Sequence, residues 1–103
     1  MIKLEKRKYD DHTLTLFYIE NNSLWLLPDE ICTILDINNK DYILDLLQND
    51  YKQKIMHITS DERYLMSDVI SINSVYLFIL YSDLSEGRLF LNWLKENFKD
   101  YIS

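Results

Sequence analysis

The stretch YLFILYSDLSEGRLFLNW, residues 76–93, places the only glycine of the chain, Gly87, between two apolar runs. The longest uninterrupted apolar run, residues 75–81, is only seven residues long. A membrane-spanning helix needs about 20 apolar residues, so this run is too short to cross a bilayer. Two apolar runs joined by the short polar segment SDLSEG instead predict an αα-hairpin.

The two helices of this hairpin have different predicted surroundings. The first, VYLFILY, is apolar on nearly every side and should be largely buried, with Ser71 or Asn73 as its N-cap. Ser82 or Ser85 is expected to cap the second helix, which has one apolar and one polar face. The apolar face comprises Phe90, Trp93, Leu94, Phe98 and Tyr101, and the polar face comprises Arg88, Asn92, Lys95, Glu96 and Lys99.

Upstream, the segment HTLTLFYIE (12–20) alternates and is rich in β-branched and aromatic residues. The turn formers ENNS separate it from LWLL (24–27), which predicts a β-hairpin. Pro28 follows, with carboxylates behind it, an order typical of a helix start because the helix dipole favours negative charge there. We therefore expect a short helix that ends near Asp36.

Downstream of that helix, Asn39 is expected to cap a second one, in which Tyr42, Ile43, Leu46 and Leu47 form a single stripe. QKIMHI and RYLM, separated by TSDE, predict a second hairpin, and DVISI predicts a further short strand. The predicted fold is therefore α+β. Small antiparallel β-hairpins pack against about four helices in one domain, residues 1–103, which ends in the αα-hairpin.

Charge and composition favour some partners over others. The chain has 103 residues and a formal net charge of −6. Residues 1–9 carry four basic groups against one Glu, so residues 10–103 hold a net charge of −9. An acidic body repels duplex DNA at long range and favours a partner with a basic protein surface. A single Cys and no signal-peptide pattern predict an intracellular protein, in the host cytoplasm or, for a eukaryotic virus, the nucleus.

Residues that could carry chemistry are few and scattered. His12 and His57 fall in separate predicted strands without a further ligand at metal-binding spacing, and Cys32 lies among apolar neighbours. A single glycine cannot supply a phosphate-cradling loop. The acidic pairs Asp10 with Asp11 and Asp41 with Asp45 are expected to be solvated turn and helix positions. We expect no catalytic residue, no metal and no cofactor.

Two segments resemble the BRO-N domain of baculovirus BRO proteins and phage antirepressors. Within residues 70–102 the family pattern of a Tyr, an apolar helix, a Ser, an acidic turn, a Phe and a Trp is matched, with Gly87 at a position where the family has Ala. LWLLPDEICTILDINN (24–39) is similar to the first half of the domain. The matching positions are Tyr76, Ser82, Glu86, Phe90 and Trp93, and, upstream, Trp25, Leu26, Asp29, Leu35 and Ile37.

The resemblance covers roughly residues 12–102 and implies a binding function, because BRO-N domains are associated with DNA binding. This chain departs from the family at positions that are often basic, where it has Tyr81, Asp83 and Asn92. Ser74 stands where the family commonly has glycine, and residues 35–37 replace a Leu-Gly-Tyr segment. The changes at Tyr81, Asp83 and Asn92 remove part of the basic surface that DNA binding would use.

The leading hypothesis is a non-enzymatic viral or prophage protein that modulates a repressor or a host defence factor by protein–protein contact. Its partner would present a basic surface, and homo-oligomers remain open. The expected partner-binding residues are Asp29, Glu30, Asp83 and Glu86. The alternative is a DNA-binding transcription regulator that uses Lys6, Arg7, Lys8, Arg88, Lys95 and Lys99.

Overall fold

The computed structural model describes residues 2–19 and 22–103. Within these ranges five strands and four α-helices follow one another. The strands are β1 (Lys3–Tyr9), β2 (His12–Ile19), β3 (Ser23–Leu26), β4 (Lys52–Ile58) and β5 (Tyr64–Ser71). The helices are α1 (Pro28–Leu35), α2 (Lys40–Leu46), α3 (Val75–Leu80) and α4 (Leu84–Asn97), with short 3₁₀ turns at Asn49–Tyr51 and Ile72–Ser74.

The strands form one antiparallel sheet in the order β1-β2-β3-β5-β4. Both predicted hairpins are present, and Glu20 and Asn21 of the first predicted turn lie outside the described residues. The two hairpins are joined by only two residue pairs, Trp25 with Ser71 and Leu26 with Ile70. The fold is therefore α+β, as predicted, with the hairpins merged into a single sheet.

Two features of the sheet differ from the sequence-based expectation. β1 was not predicted as a strand, although KLEKRKY pairs with β2 along its whole length. RYLM and DVISI were expected as separate elements, whereas residues 64–71 form the continuous strand β5. The long pairing with β4 holds β5 extended through the polar residues Ser67 and Asp68, which had suggested a break.

The helices cover one face of the sheet and enclose the main core. Leu14 and Leu16 of β2 and Leu26 of β3 are fully buried there, together with Phe78 of α3 and Phe90 of α4. Burying a Leu or Phe side chain contributes about 1.5–3 kcal/mol, so this layer supplies most of the hydrophobic stabilisation. A smaller cluster lies on the other face of the sheet and contains Phe17, Ile55 and Val69.

The apolar stripe predicted for α2 is only half right. Ile43 and Leu47 are buried, whereas Tyr42 and Leu46 are exposed. The four positions cover two neighbouring lines on a helix surface, and the short α2 packs along only one of them. Asn39 occupies the N-cap position, but its side chain makes no capping hydrogen bond.

The αα-hairpin is present as predicted, with different caps. Asp83, and not Ser82 or Ser85, caps α4, while the Ser82 hydroxyl donates to the Ile79 carbonyl. The 3₁₀ turn Ile72–Ser74 leads into α3, so neither Ser71 nor Asn73 provides a side-chain cap. α4 ends at Asn97, and Phe98 and Tyr101 of its predicted apolar face therefore follow the helix.

Candidate functional site

The first turn of α1 carries two carboxylates, and the first of them points to solvent. Pro28 begins the helix, and the Asp29 side chain is 80% exposed. Its Oδ1 lies 2.5 Å from Nζ of Lys40 at the start of α2. This hydrogen bond is the main reason why the pKa of Lys40 is raised. Asp29 thus keeps most of its surface accessible while it links α1 to α2.

The second carboxylate, Glu30, is turned inward. It accepts hydrogen bonds from the Thr15 backbone N–H at 2.6 Å and from the Thr15 hydroxyl at 2.8 Å. Pairing between β2 and β3 ends at Leu16 with Leu26, so the Thr15 N–H has no β3 residue opposite it. Thr15 is buried, and an unpaired N–H there would be costly. Glu30 therefore completes the hydrogen bonding of the sheet.

The first turn of α4 carries the other two predicted contact residues. Asp83 accepts hydrogen bonds from the backbone N–H groups of Ser85, at 2.9 Å, and of Glu86, at 3.2 Å. These bonds satisfy two amides that the helix itself leaves without partners. Asp83 and Glu86 are both exposed, so their negative charge reaches the surface beside the helix N-terminus.

The β1–β2 turn brings these acidic groups to one end of the molecule. The Tyr9 ring packs on Phe90 and Trp93 of α4, with ring centroids 5.0 and 5.2 Å apart. Burial raises the pKa of Tyr9, and the charges of Asp10 and Glu86 raise it further, so both carboxylates lie near this ring.

On the other flank of the turn, His12 and Thr13 line a cleft of about 290 Å³ with Asp29 and Glu30. Carboxylates from α4 and from α1 therefore both lie near the β1–β2 turn. We call this region the acidic end. It comprises Asp10, Asp11, Asp29, Asp83 and Glu86.

The candidate DNA-binding residues do not form one surface. Lys6 and Lys8 lie on the face of β1 opposite to Arg7, because side chains alternate along a strand. The Arg7 guanidinium hydrogen-bonds to Glu5 at 3.1 Å and to Asn97 at 3.3 Å, and lies 4.9 Å from the centre of the Phe98 ring. Arg7 is therefore engaged in joining β1 to the end of α4.

The basic residues of α4 are more exposed. Lys95 lies over the Tyr76 ring, with its Nζ 5.6 Å from the ring centre. Arg88 is also exposed, and a separation of seven residues, about two turns, places it on the same side of α4 as Lys95. Lys99 is exposed as well and follows the end of the helix. This outer face of α4 is separate from the one on which Lys6 and Lys8 lie.

The side chains of Cys32 and His57, which could take part in catalysis or metal binding, are buried or hydrogen-bonded within the fold. Cys32 is buried, and burial raises the pKa of its thiol, which keeps it protonated. His57 Nε2 lies 2.9 Å from the Ser67 hydroxyl. Over residues 2–19 and 22–103, no group of three or more His, Cys, Asp or Glu side chains could hold a metal ion. None of the described helices is long and apolar enough to span a bilayer.

Comparison with known families identifies the family of this chain. The model of the BRO family N-terminal domain matches residues 15–100. The chain belongs to the BRO family. Neither a curated protein nor a solved structure matches it. BRO N-terminal domains are binding and regulatory modules.

The positions that suggested the BRO family have clear structural roles in this BRO domain. Phe90 is fully buried and Trp93 packs against it. Tyr76 donates a hydrogen bond to the Ser103 carbonyl, and Ser82 closes the α3–α4 turn. Tyr76, Ser82, Phe90 and Trp93 thus make packing or hydrogen-bond contacts around the αα-hairpin, whereas exposed Glu86 belongs to the acidic end.

The BRO domain also has an exposed apolar region that sequence reasoning missed. The rings of Tyr42 in α2 and Tyr81 after α3 contact edge to face, with centroids 5.9 Å apart. Leu46 lies on the same face of α2 as Tyr42, and Leu80 and Leu84 flank Tyr81 in the chain. These five residues form what we call the tyrosine patch. From the sequence, Tyr42 and Leu46 belong to one predicted stripe with Ile43 and Leu47. The signal for the patch was that this stripe is too wide for a short helix to bury completely.

A second apolar region lies at the sheet edges. Met56 and Ile58 of β4 and Tyr64 of β5 are exposed and line a groove of about 610 Å³ with Ile2 and Leu4. β4 and β1 are the two edge strands of the sheet. This region is far less acidic in sequence than the helical side, since β4 contains two lysines and no carboxylate.

Proposed function

We propose that this BRO-family chain is a non-enzymatic binding protein of a virus or prophage that modulates a regulator or a host defence factor. It binds a protein partner with a basic surface through the acidic end. Asp29, Asp83 and Glu86 make the contacts, together with Asp10 and Asp11 of the β1–β2 turn. Glu30 contributes by holding α1 in place.

The observation that carries this proposal is the convergence of carboxylates from three segments on one end. Exposed Asp29 and Glu86 both lie near residues that flank the β1–β2 turn, and Lys40 is already paired with Asp29. Carboxylates placed close together make the local electrostatic potential more negative. This potential accelerates encounter with a basic partner and repels an anionic one.

A DNA-binding function is the second candidate, and the outer face of α4 favours it. Arg88 and Lys95 lie along that face and Lys99 follows the helix, and all three are exposed and could neutralise phosphates. Two carboxylates weaken the case, because Glu96 in the last turn of α4 and Asp100 after the helix place negative charge near these basic residues in the chain. Lys6 and Lys8 lie on another face and do not extend this row.

Charge reversal tests the proposal directly. The double variant Asp10→Lys/Glu86→Lys changes two exposed carboxylates that make no hydrogen bond to the fold in the described contacts. Asp50→Lys/Glu96→Lys changes the net charge equally at exposed positions elsewhere. We expect the first variant to lose capture of basic proteins from a lysate of the natural host, and the second to retain it.

Equal capture by both variants would show that the acidic end is not the contact surface. Asp83 is better tested by Asp83→Ser, because serine keeps the N-cap hydrogen bond and removes only the charge. If partner affinity falls in Asp83→Ser while the unfolding midpoint is unchanged, the charge of Asp83 contributes to binding.

A further inference from the structure

The tyrosine patch is an unusual surface for a chain of this charge. Leu80 is 73% exposed, Leu84 58% and Tyr42 56%, although α2, α3 and α4 each also bury apolar residues in the core. Partial loss of solvent and the neighbouring Tyr42 phenol raise the pKa of Tyr81, which agrees with close contact between the two rings. Contiguous exposed apolar residues with a polar border are typical of interaction sites.

Carboxylates border this patch. Asp41 and Asp45 lie four residues apart on α2 and form an exposed line beside Tyr42 and Leu46. On the other side Asp83 precedes Leu84 and belongs to the acidic end. The tyrosine patch is therefore an apolar centre with negative charge on two sides, and it continues into the acidic end.

The backbone around the tyrosine patch limits what can bind there. The patch is built from α2, the end of α3 and the start of α4, where the chain is helical or in a tight turn. It offers no strand edge, so an extended segment could not add to it by main-chain pairing. A helix, which satisfies its own backbone and presents only side chains, is the segment that fits.

We propose that the tyrosine patch docks an amphipathic helix of a protein partner, with Leu-like side chains over Tyr42 and Tyr81 and with Lys or Arg side chains facing Asp41, Asp45 and Asp83. This inference rests on the proposed function, because it specifies the kind of basic partner. The two tyrosines are the expected energetic centre, since Tyr combines a large apolar area with a hydroxyl and is common among interface hot spots.

Designed peptides test the docking without the natural partner. A helical peptide of about 18 residues, five turns, would carry a Leu face and a Lys face. A second peptide with Ala in place of Leu keeps the charge, and a third with Glu in place of Lys keeps the apolar face. We expect the Leu/Lys peptide to bind at least about tenfold more tightly than either control, about 1.4 kcal/mol.

Matched variants locate the binding. Leu80→Ala/Leu84→Ala should weaken the Leu/Lys peptide by about tenfold or more, whereas Leu89→Ala should not. Leu89 is a suitable control because it is a 60% exposed leucine on another face of α4. In wild-type protein, backbone amide resonances of residues 42, 46, 80, 81 and 84 should shift on titration, which gives an answer that needs no variant.

The outcomes separate this inference from the proposed function. No binding of the Leu/Lys peptide, or binding that Leu80→Ala/Leu84→Ala leaves unchanged, would overturn the helix-docking inference. In that case, loss of capture of basic proteins by the acidic-end variant Asp10→Lys/Glu86→Lys would still support the proposed function, without the helix-docking inference. Patch-dependent peptide binding together with unchanged capture would support the patch and contradict the acidic end.

Discussion

At the scale of single residues, the neighbouring carboxylates Asp29 and Glu30 of α1 have different roles. Asp29 faces solvent and pairs with Lys40, whereas Glu30 hydrogen-bonds to a buried backbone N–H and hydroxyl of Thr15. Both carboxylates were predicted as contact residues because the BRO-N resemblance puts the first helix among the exposed elements. Only the end of the β2–β3 pairing, which lies in another element, distinguishes them.

Alanine substitution separates the two roles. Glu30→Ala leaves two donors of Thr15 without an acceptor in a buried position, so we expect the free energy of unfolding to fall by about 1–3 kcal/mol. Asp29→Ala removes a surface ion pair and should cost under about 1 kcal/mol. Urea denaturation of both variants measures this difference, and equal losses would contradict the assignment of Glu30 to the fold.

Tyr18 gives a pH-dependent prediction. Burial and its hydrogen bond to Glu5 raise the pKa of Tyr18 from 10.0 to about 12. Between these values the unfolded chain has released the phenolic proton and the folded protein has kept it. The stabilisation is therefore complete below pH 10 and is lost as the pH rises toward 12.

Denaturant titrations across that alkaline range test this linkage. Wild-type stability should fall as the pH rises, and Tyr18→Phe should show a smaller fall, because the variant has no phenol at this position to ionise. The same fall in both proteins would show that other groups cause it, such as Tyr9 or Tyr81, whose pKa values are also raised.

At the scale of elements, local patterns predicted helices and hairpins well and their exact contacts less well. α1, α2 and the αα-hairpin all occur where periodicity and Pro28 indicated them. β1 was missed because its alternating residues are mostly charged. The cap of α4 was missed because Ser82, Asp83 and Ser85 are all good capping residues, and packing of the turn decides among them.

Gly87 provides a prediction about the contact between α3 and α4. A Cβ at this position would lie 2.8 Å from Ile79 Cγ2 and 2.8 Å from Ser82 Oγ. Alanine gains up to about 1 kcal/mol in helix propensity. Overpacking against the stiff, β-branched Ile79 costs about 1–3 kcal/mol, so Gly87→Ala should lower the free energy of unfolding by about 1 kcal/mol.

A double-mutant cycle shows whether Ile79 causes the loss. Leucine at position 79 moves the branch away from the backbone, so Gly87→Ala should cost less in an Ile79→Leu background. A Gly87→Ala variant that is more stable than wild type would contradict the tight contact described for this helix pair.

At the scale of the whole molecule, long-range packing creates the features that sequence could not supply. Two residue pairs, between positions 25–26 and 70–71, merge the hairpins into one sheet. The acidic end assembles from the β1–β2 turn, α1 and α4, and the tyrosine patch from α2 and the α3–α4 turn. The net charge and the BRO family were readable from the sequence, whereas the grouping of charges depends on these contacts.

The central claim is that the chain binds a basic protein surface and not nucleic acid. A titration of random-sequence duplex DNA over a range of salt concentrations tests it most directly, because each neutralised phosphate contributes about −0.9 to the slope of log K against log salt. We predict no measurable binding near physiological salt or at low salt. Micromolar affinity near physiological salt, with a slope of several units, would contradict the claim and favour the DNA-binding alternative.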